Sequence, residues 1–173
     1  MLSEKLEKKF NEQINAEVFS AYLYQSMASY FEAISLEGFA NWMDVQAQEE
    51  LTHARKFYDF INERGGRVVL ASIEAPKIDW DSPLNAFEDA YKHEQKITGM
   101  INDLVDMAGE EKDHASSSFL QWFVDEQVEE ESSVDEIVQK LKIVGDSGNG
   151  LFMINNALGQ RILESSDSSE GEN

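Results

Sequence analysis

Apolar residues recur every three or four positions along most of this 173-residue chain, which is the period of helices that bury one face. Breaks in the pattern are few: proline occurs only at Pro76 and Pro83, and Gly65-Gly66 and the run 145–150 are the clearest interruptions. The periodicity predicts helices over 4–33, 38–64, 83–110 and 114–144, and a short one near 150–160. Ser82 is placed to cap the third, with Pro83 at its first position, where a missing N–H costs nothing. Asp113 is placed to cap the fourth. Short links join the first helix to the second and the third to the fourth, so each pair is antiparallel. Residues 66–82 are a longer connection. Such a stretch spans about 55 Å when extended, more than the roughly 40 Å length of the second helix. It is expected to run back along the bundle, with Val68, Val69, Leu70 and Ile73 against helices or a partner subunit. The fold class is therefore all-α: a four-helix bundle with a long crossover between helices two and three and a short fifth helix. One domain over 1–162 is expected, followed by an acidic disordered tail over 163–173.

The apolar stripes are not apolar throughout. At helical spacing, helix one presents Phe10, Ile14, Glu17, Ala21, Tyr24, Ala28 and Phe31, and helix two presents Phe39, Met43, Gln46, Glu50, His53, Phe57 and Phe60. Helix three gives Leu84, Phe87, Tyr91, Glu94, Thr98, Ile101 and Val105. Helix four gives Leu120, Phe123, Gln127, Glu130, Val134, Ile137 and Leu141. Each stripe is greasy at both ends and ionisable near its middle, so four helices bring four glutamates and a histidine to one level. Unpaired buried carboxylates each cost several kcal/mol, of order 3–5 when a partner is missing, and no lysine or arginine sits on these stripes. Either the carboxyls hold protons or a cation neutralises them. Hard oxygens with one imidazole suit iron, manganese or zinc. Single glutamates from two helices and Glu-x-x-His from the other two are how helix bundles hold a pair of irons. Here Glu50-Leu-Thr-His53 is one such motif, and the other is altered to Gln127-Val-Glu-Glu130.

Composition narrows the partners. Acids outnumber bases 34 to 14, for a net charge of −20. The last thirteen residues hold four acids and one arginine, so most of the excess belongs to the folded part. Such a surface repels phosphate backbones and attracts cations, which argues against nucleic acid as a partner. There is no cysteine, hence no disulfide and no thiolate metal site. No apolar run reaches about 18 residues and no leader opens the chain; a soluble, cytoplasmic protein without a membrane partner is expected.

At these residues the chain resembles the non-haem ferritins of bacteria and archaea. The resemblance covers about residues 5–160 and rests on Gln13-Ile-Asn-Ala-Glu17, Ala21-Tyr-Leu-Tyr24, Glu49-Glu-Leu-Thr-His-Ala54, Arg64-Gly-Gly-Arg67, Trp80-Asp-Ser-Pro83, Phe119-Leu-Gln-Trp122 and Asp125-Glu-Gln-Val-Glu-Glu-Glu131. It implies an iron store with ferroxidase activity: iron(II) is oxidised at an intrabundle di-iron site by O2 or H2O2, and iron(III) passes to a mineral in a hollow homo-oligomeric shell of 24 subunits. Carried over by residue, the first iron position matches Glu17, Glu50 and His53. The second matches Glu94 and Glu130, with Glu50 bridging and Gln127 nearby. A third iron position matches Glu49, Glu126 and Glu129, with Glu130 shared. The family's tyrosine beside the irons, an electron donor, corresponds to Tyr24. In haem-containing relatives a methionine directly follows the first glutamate of Glu-x-x-His; Leu51 stands there, so no haem is expected.

Two other readings compete. One is a di-metal peroxide reductase of the rubrerythrin type, against which the missing cysteine-ligated iron domain counts. The other is an interaction module whose polar layer sets helix register. His93 sits about 100° from Glu94 and is expected at the surface. Trp42, Trp122 and the phenylalanines are expected in the core.

Overall fold

The computed structural model describes residues 2–163. Five helices account for most of them: α1 Glu4–Ala33, α2 Glu37–Glu63, α3 Pro83–Glu110, α4 His114–Val144 and α5 Gly148–Leu158. No strand occurs among the described residues. Caps stand where the sequence puts them: the Ser82 hydroxyl accepts from the Asn85 N–H at 3.1 Å, and Asp113 accepts from the Ser116 N–H at 3.1 Å. The fifth helix begins two residues earlier than expected, because the Ser147 hydroxyl caps it by accepting from the Gly150 N–H. Residues 164–173, most of the expected tail, lie outside the described residues.

Helices α1 and α2 form one antiparallel hairpin and α3 and α4 the other. Gly65 closes α2 with φ +74°, in the left-handed region that a residue lacking Cβ enters without strain. The crossover then carries the chain back, so α3 runs parallel to α2. Polar ties fasten it to α1 and α3. The Asn11 amide donates to the Arg67 carbonyl and its oxygen accepts from the Val69 N–H; Ser26 donates to the Lys77 carbonyl; Lys77 and the Trp80 indole both reach Asp89. Only Val68 of the expected apolar strip packs on the helices of its own chain. Val69, Leu70 and Ile73 face outward, with Leu70 72 % exposed. Of the two places offered to that strip, the surface of a neighbouring chain is the one still open.

The core divides in two. One apolar cluster gathers Met27, Phe31, Phe39, Trp42, Phe87, Ile137 and Leu141, and extends under α5 through Ile154. The other gathers Leu6, Phe10, Phe57, Ile61, Ile101, Leu104, Leu120 and Phe123. A polar layer separates them. Trp122 departs from the expected core: it is 39 % exposed, with the Lys56 ammonium 4.2 Å from its ring centre. Phe152 on the outer face of α5 is also exposed.

Arg64, past the end of α2, grips Asp113 at the start of α4 with two hydrogen bonds of 3.1 and 2.8 Å. These bonds, helped by the Ser116 N–H, hold the Asp113 carboxyl down at about 2. A carboxyl depressed in the folded state stabilises fully above its unfolded pKa and loses that contribution as pH falls through the folded one. Asp113→Ala should cost about 1–2 kcal/mol at neutral pH. In denaturant melts the gap to the parent should close as pH drops from 4 to 2; a gap that ignores pH would show that the ion pair is not its source.

Candidate metal centre

Each of the four long helices delivers its mid-stripe side chain to the layer between the two apolar clusters. Glu17 comes from α1, Glu50 and His53 from α2, Glu94 from α3, and Gln127 and Glu130 from α4; all are buried, none more than 5 % exposed. Glu50 and His53 are one turn apart on one face, so both reach inward from a single helix. One donor atom from each of Glu17, Glu50 and His53 lies within 4.8 Å of the others, and His53, Glu126 and Glu130 meet the same condition. These are the two such groups among the described residues. His53 stands between them, its Nδ1 3.6 Å from Glu50 Oε2 and its Nε2 3.8 Å from Glu126 Oε1.

Neutral amides serve the carboxylates. Gln13 donates to Glu17 Oε1 at 2.8 Å. Gln46 donates to Glu50 Oε1 at 3.2 Å and to Glu130 Oε2 at 2.6 Å. The Tyr24 hydroxyl donates to Glu94 Oε1, while Gln127 donates to Glu94 Oε2 and to Thr98 at 3.3 and 3.2 Å. Among the described residues no lysine or arginine bonds to the four central carboxyls. Burial is the main reason that Glu17, Glu50, Glu94 and Glu130 are all pushed above the usual carboxylate range. Mutual repulsion adds to this: the Glu50 charge raises Glu17 and Glu130, and the Glu94 charge raises Glu50. Burial, and then the Glu94 charge, likewise push the Tyr24 hydroxyl up, so it remains a donor.

Two buried atoms of the layer, Glu17 Oε2 and Gln46 Oε1, have no hydrogen-bond partner among the described residues. Held neutral by burial, Glu17 can donate to Glu50; once ionised its oxygens can only accept, and burying one without a donor costs about 1–3 kcal/mol or more. Glu17 Oε2 belongs to the side chain which, with Glu50 and His53, forms the fully buried acidic corner. A cation there would satisfy it and relieve the repulsion together. The donors, carboxylate oxygens and one imidazole nitrogen, fit iron(II) and its neighbours.

Of the expected third position, Glu126 and the shared Glu130 meet beside His53. Glu49 is held by Arg161, and Glu129 is exposed. Leu51, which replaces the haem-ligating methionine, is half-exposed on the outer side of α2. His93 corrects the surface expectation: it is buried, its Nε2 2.7 Å from Ser20 Oγ, with the rings of Phe19 and Tyr24 5.8 and 6.4 Å away. Burial holds its imidazole down at about 4, so it is neutral at physiological pH. Gln13 and Gln46 serve the carboxylates although the sequence reading assigns them no role. Gln13 and Gln46 each lie four residues before a central glutamate, one turn along the same face.

Comparison with known proteins gives the arrangement its relatives. The chain matches the family described as ferritin-like domain over residues 7–144. It is 46 % identical over 161 residues to a bacterial non-heme ferritin of Bacteroides fragilis, covering 93 % of this chain and 100 % of the relative. To the bacterial non-heme ferritin of Staphylococcus aureus it is 42 % identical over 164 residues, covering 95 % and 99 %. Among solved structures, the open pore ferritin of the hyperthermophilic archaeon Archaeoglobus fulgidus superposes with a TM-score of 0.93 at 54 % identity, covering 94 % of this chain and 100 % of that one. A humanized archaeal ferritin superposes at 0.95 with 52 % identity, covering 95 % and 100 %.

Proposed function

We propose a function from one premise: the chain belongs to the ferritin-like domain family, and its relatives are non-haem ferritins. It is an iron-storage protein, and its polar layer is a ferroxidase centre. The observation that carries this reading is the buried layer itself: four carboxyls raised by burial, with an oxygen of Glu17 left without a donor beside Glu50 and His53.

Iron(II) is the substrate. Glu17, Glu50 and His53 would take the first ion, and Glu94 and Glu130 the second, with Glu50 placed to bridge and Gln127 to hold Glu94. Carboxylates favour iron(III) over iron(II) because attraction grows with the ion's charge; the centre thus makes loss of an electron easier. Two ions give up one electron each, and together they reduce one O2 to H2O2 or one H2O2 to water. Binding must first drive off the protons that burial keeps on the carboxyls, so uptake should release acid and slow at low pH. Tyr24, hydrogen-bonded to Glu94, is placed to give one electron in place of the second iron(II) when a single iron meets the oxidant, its phenol proton passing to Glu94. The altered second motif leaves that position with oxygen donors only, a weaker hold that lets product leave. Glu49, Glu126 and Glu129 would supply a third position, which needs Glu49 to be released first. Leu51 offers no ligand for haem.

Storage requires an enclosed space, and we read this chain as one subunit of a shell of 24 in the cytoplasm. The outward strip on the crossover supports burial against a second copy. No helix among the described residues is long and apolar enough to cross a membrane. Aerobic addition of iron(II) should turn the protein amber while it stays in solution at many irons per chain. Uptake that stops near stoichiometry would reject storage while leaving the centre possible as a redox site.

A further inference from the structure

The segment after α5 returns to α2 immediately beside the centre. Asn41 on α2 donates to the carbonyls of Leu158 and Arg161 at 3.3 and 3.0 Å and pins the chain there. The Arg161 guanidinium lies 4.3 Å over the Trp42 ring, donates to the Trp42 carbonyl at 3.3 Å, and makes a short hydrogen bond to Glu49 Oε2. Both side chains of that ion pair are 22 % exposed, so it is mostly withdrawn from water yet reachable. Glu49 directly precedes Glu50 in the chain. A guanidinium bonded to a carboxylate of the expected iron positions therefore comes from the far end of the fold.

We propose that Arg161 is a releasable counter-cation: its guanidinium occupies Glu49 until a metal ion takes that carboxylate, and taking it undocks the chain beyond α5. The inference rests on the reading of the polar layer as a metal centre. A guanidinium and a divalent ion sharing one carboxylate repel each other at contact distance, so occupancy by one weakens the other. The coupling is reciprocal: docking of Arg161 weakens metal binding at Glu49 by the factor by which metal binding weakens docking. Arg161 is thus a positioning residue that tunes the weakest iron position and makes its filling felt at the chain end.

Zinc(II) tests this without redox chemistry, since it accepts the same oxygen and imidazole donors. Calorimetric titration of the assembled protein should resolve tight ions at the central layer and a weaker class. In Arg161→Gln the weaker class should bind about tenfold tighter, the effect of removing one competing charge-assisted hydrogen bond, and adding Glu49→Gln should abolish the gain. Arg161→Lys keeps the charge but loses the planar fork, and should fall between. Amide exchange supplies a readout independent of affinity. Zinc saturation should speed exchange at residues 158–163 in the parent, whereas in Glu49→Gln those amides should exchange fast at the outset and ignore zinc. Weak-site affinities within twofold of each other in parent and Arg161→Gln, with zinc present at Glu17, Glu50 and His53 in anomalous maps of both, would overturn this proposal alone. Maps without zinc at those three residues would overturn the centre itself.

Discussion

Replacing Glu50 and His53 together with alanine will remove the fast phase of iron(II) oxidation while the helices stay folded. Changes to groups that merely support a metal ligand cost about 10–100-fold, so losing a bridging carboxylate and the imidazole should cost a hundredfold or more. The two side chains stand one turn apart and form the acidic corner with Glu17. Without them Glu17 and Glu94, on the neighbouring helices α1 and α3, lose the ligands α2 supplies. Stability should move little. Glu50 is held above the normal carboxylate range by burial and by Glu94, so its removal relieves repulsion while leaving a modest cavity. Stopped-flow oxidation alongside circular dichroism separates the outcomes. Unaltered fast oxidation in a folded double variant would place the chemistry elsewhere and refute the assignment of the layer.

Gly38→Ala is expected to detach α5. A Cβ at Gly38 would lie 1.7 Å from the Asn155 carbonyl oxygen and 2.7 Å from the carbonyl carbon. Those are backbone atoms, so the whole short helix must shift. The shift also breaks the cap that α5 provides for α2, whose own N-terminal residue gives no side-chain bond: the Asn155 amide oxygen accepts from the Gly38 and Phe39 N–H groups at 2.9 and 3.3 Å. Overpacking and two lost hydrogen bonds together should cost about 2–4 kcal/mol. The loss should show as new protease sensitivity across 145–160 before any loss of the four long helices, because Ile154 is the single buried residue of α5. Equal melting and protease resistance in variant and parent would mean the close approach is not maintained in solution. Since Arg161 follows α5, the same substitution should also loosen the Arg161–Glu49 ion pair.

Much of this architecture could be read from residue spacing. The four long helices, their caps at Ser82 and Asp113, and the depth of Glu17, Glu50, Glu94 and Glu130 depend on local rules: helical period, turn chemistry and rise per residue. What escaped depends on contacts between distant segments. Arg161 lies 112 positions from Glu49, and no periodicity links them. His93 was placed outside by its angle from Glu94, but a helix packed on two neighbours buries more than one stripe, and Ser20 on α1 supplies a polar partner. Trp122 showed the opposite failure: a large aromatic near the stripe is held outward, with Lys56 across its face. The crossover was legible in length and route but not in attachment, because polar ties at Asn11, Ser26 and Asp89 hold it where apolar packing was expected.

The division of the core has a further consequence for how the helices line up. Greasy cylinders of nearly equal length could slide past one another by a turn, about 5.4 Å, with small loss of contact. Here any such slip would drive a carboxyl of the central band into phenylalanines on one side or the other, at a cost of several kcal/mol. The band therefore acts as an alignment mark during folding. On the function proposed above, a chain that has never met iron would still arrive with Glu17, Glu50, Glu94 and Glu130 facing one another, without rearrangement of the scaffold.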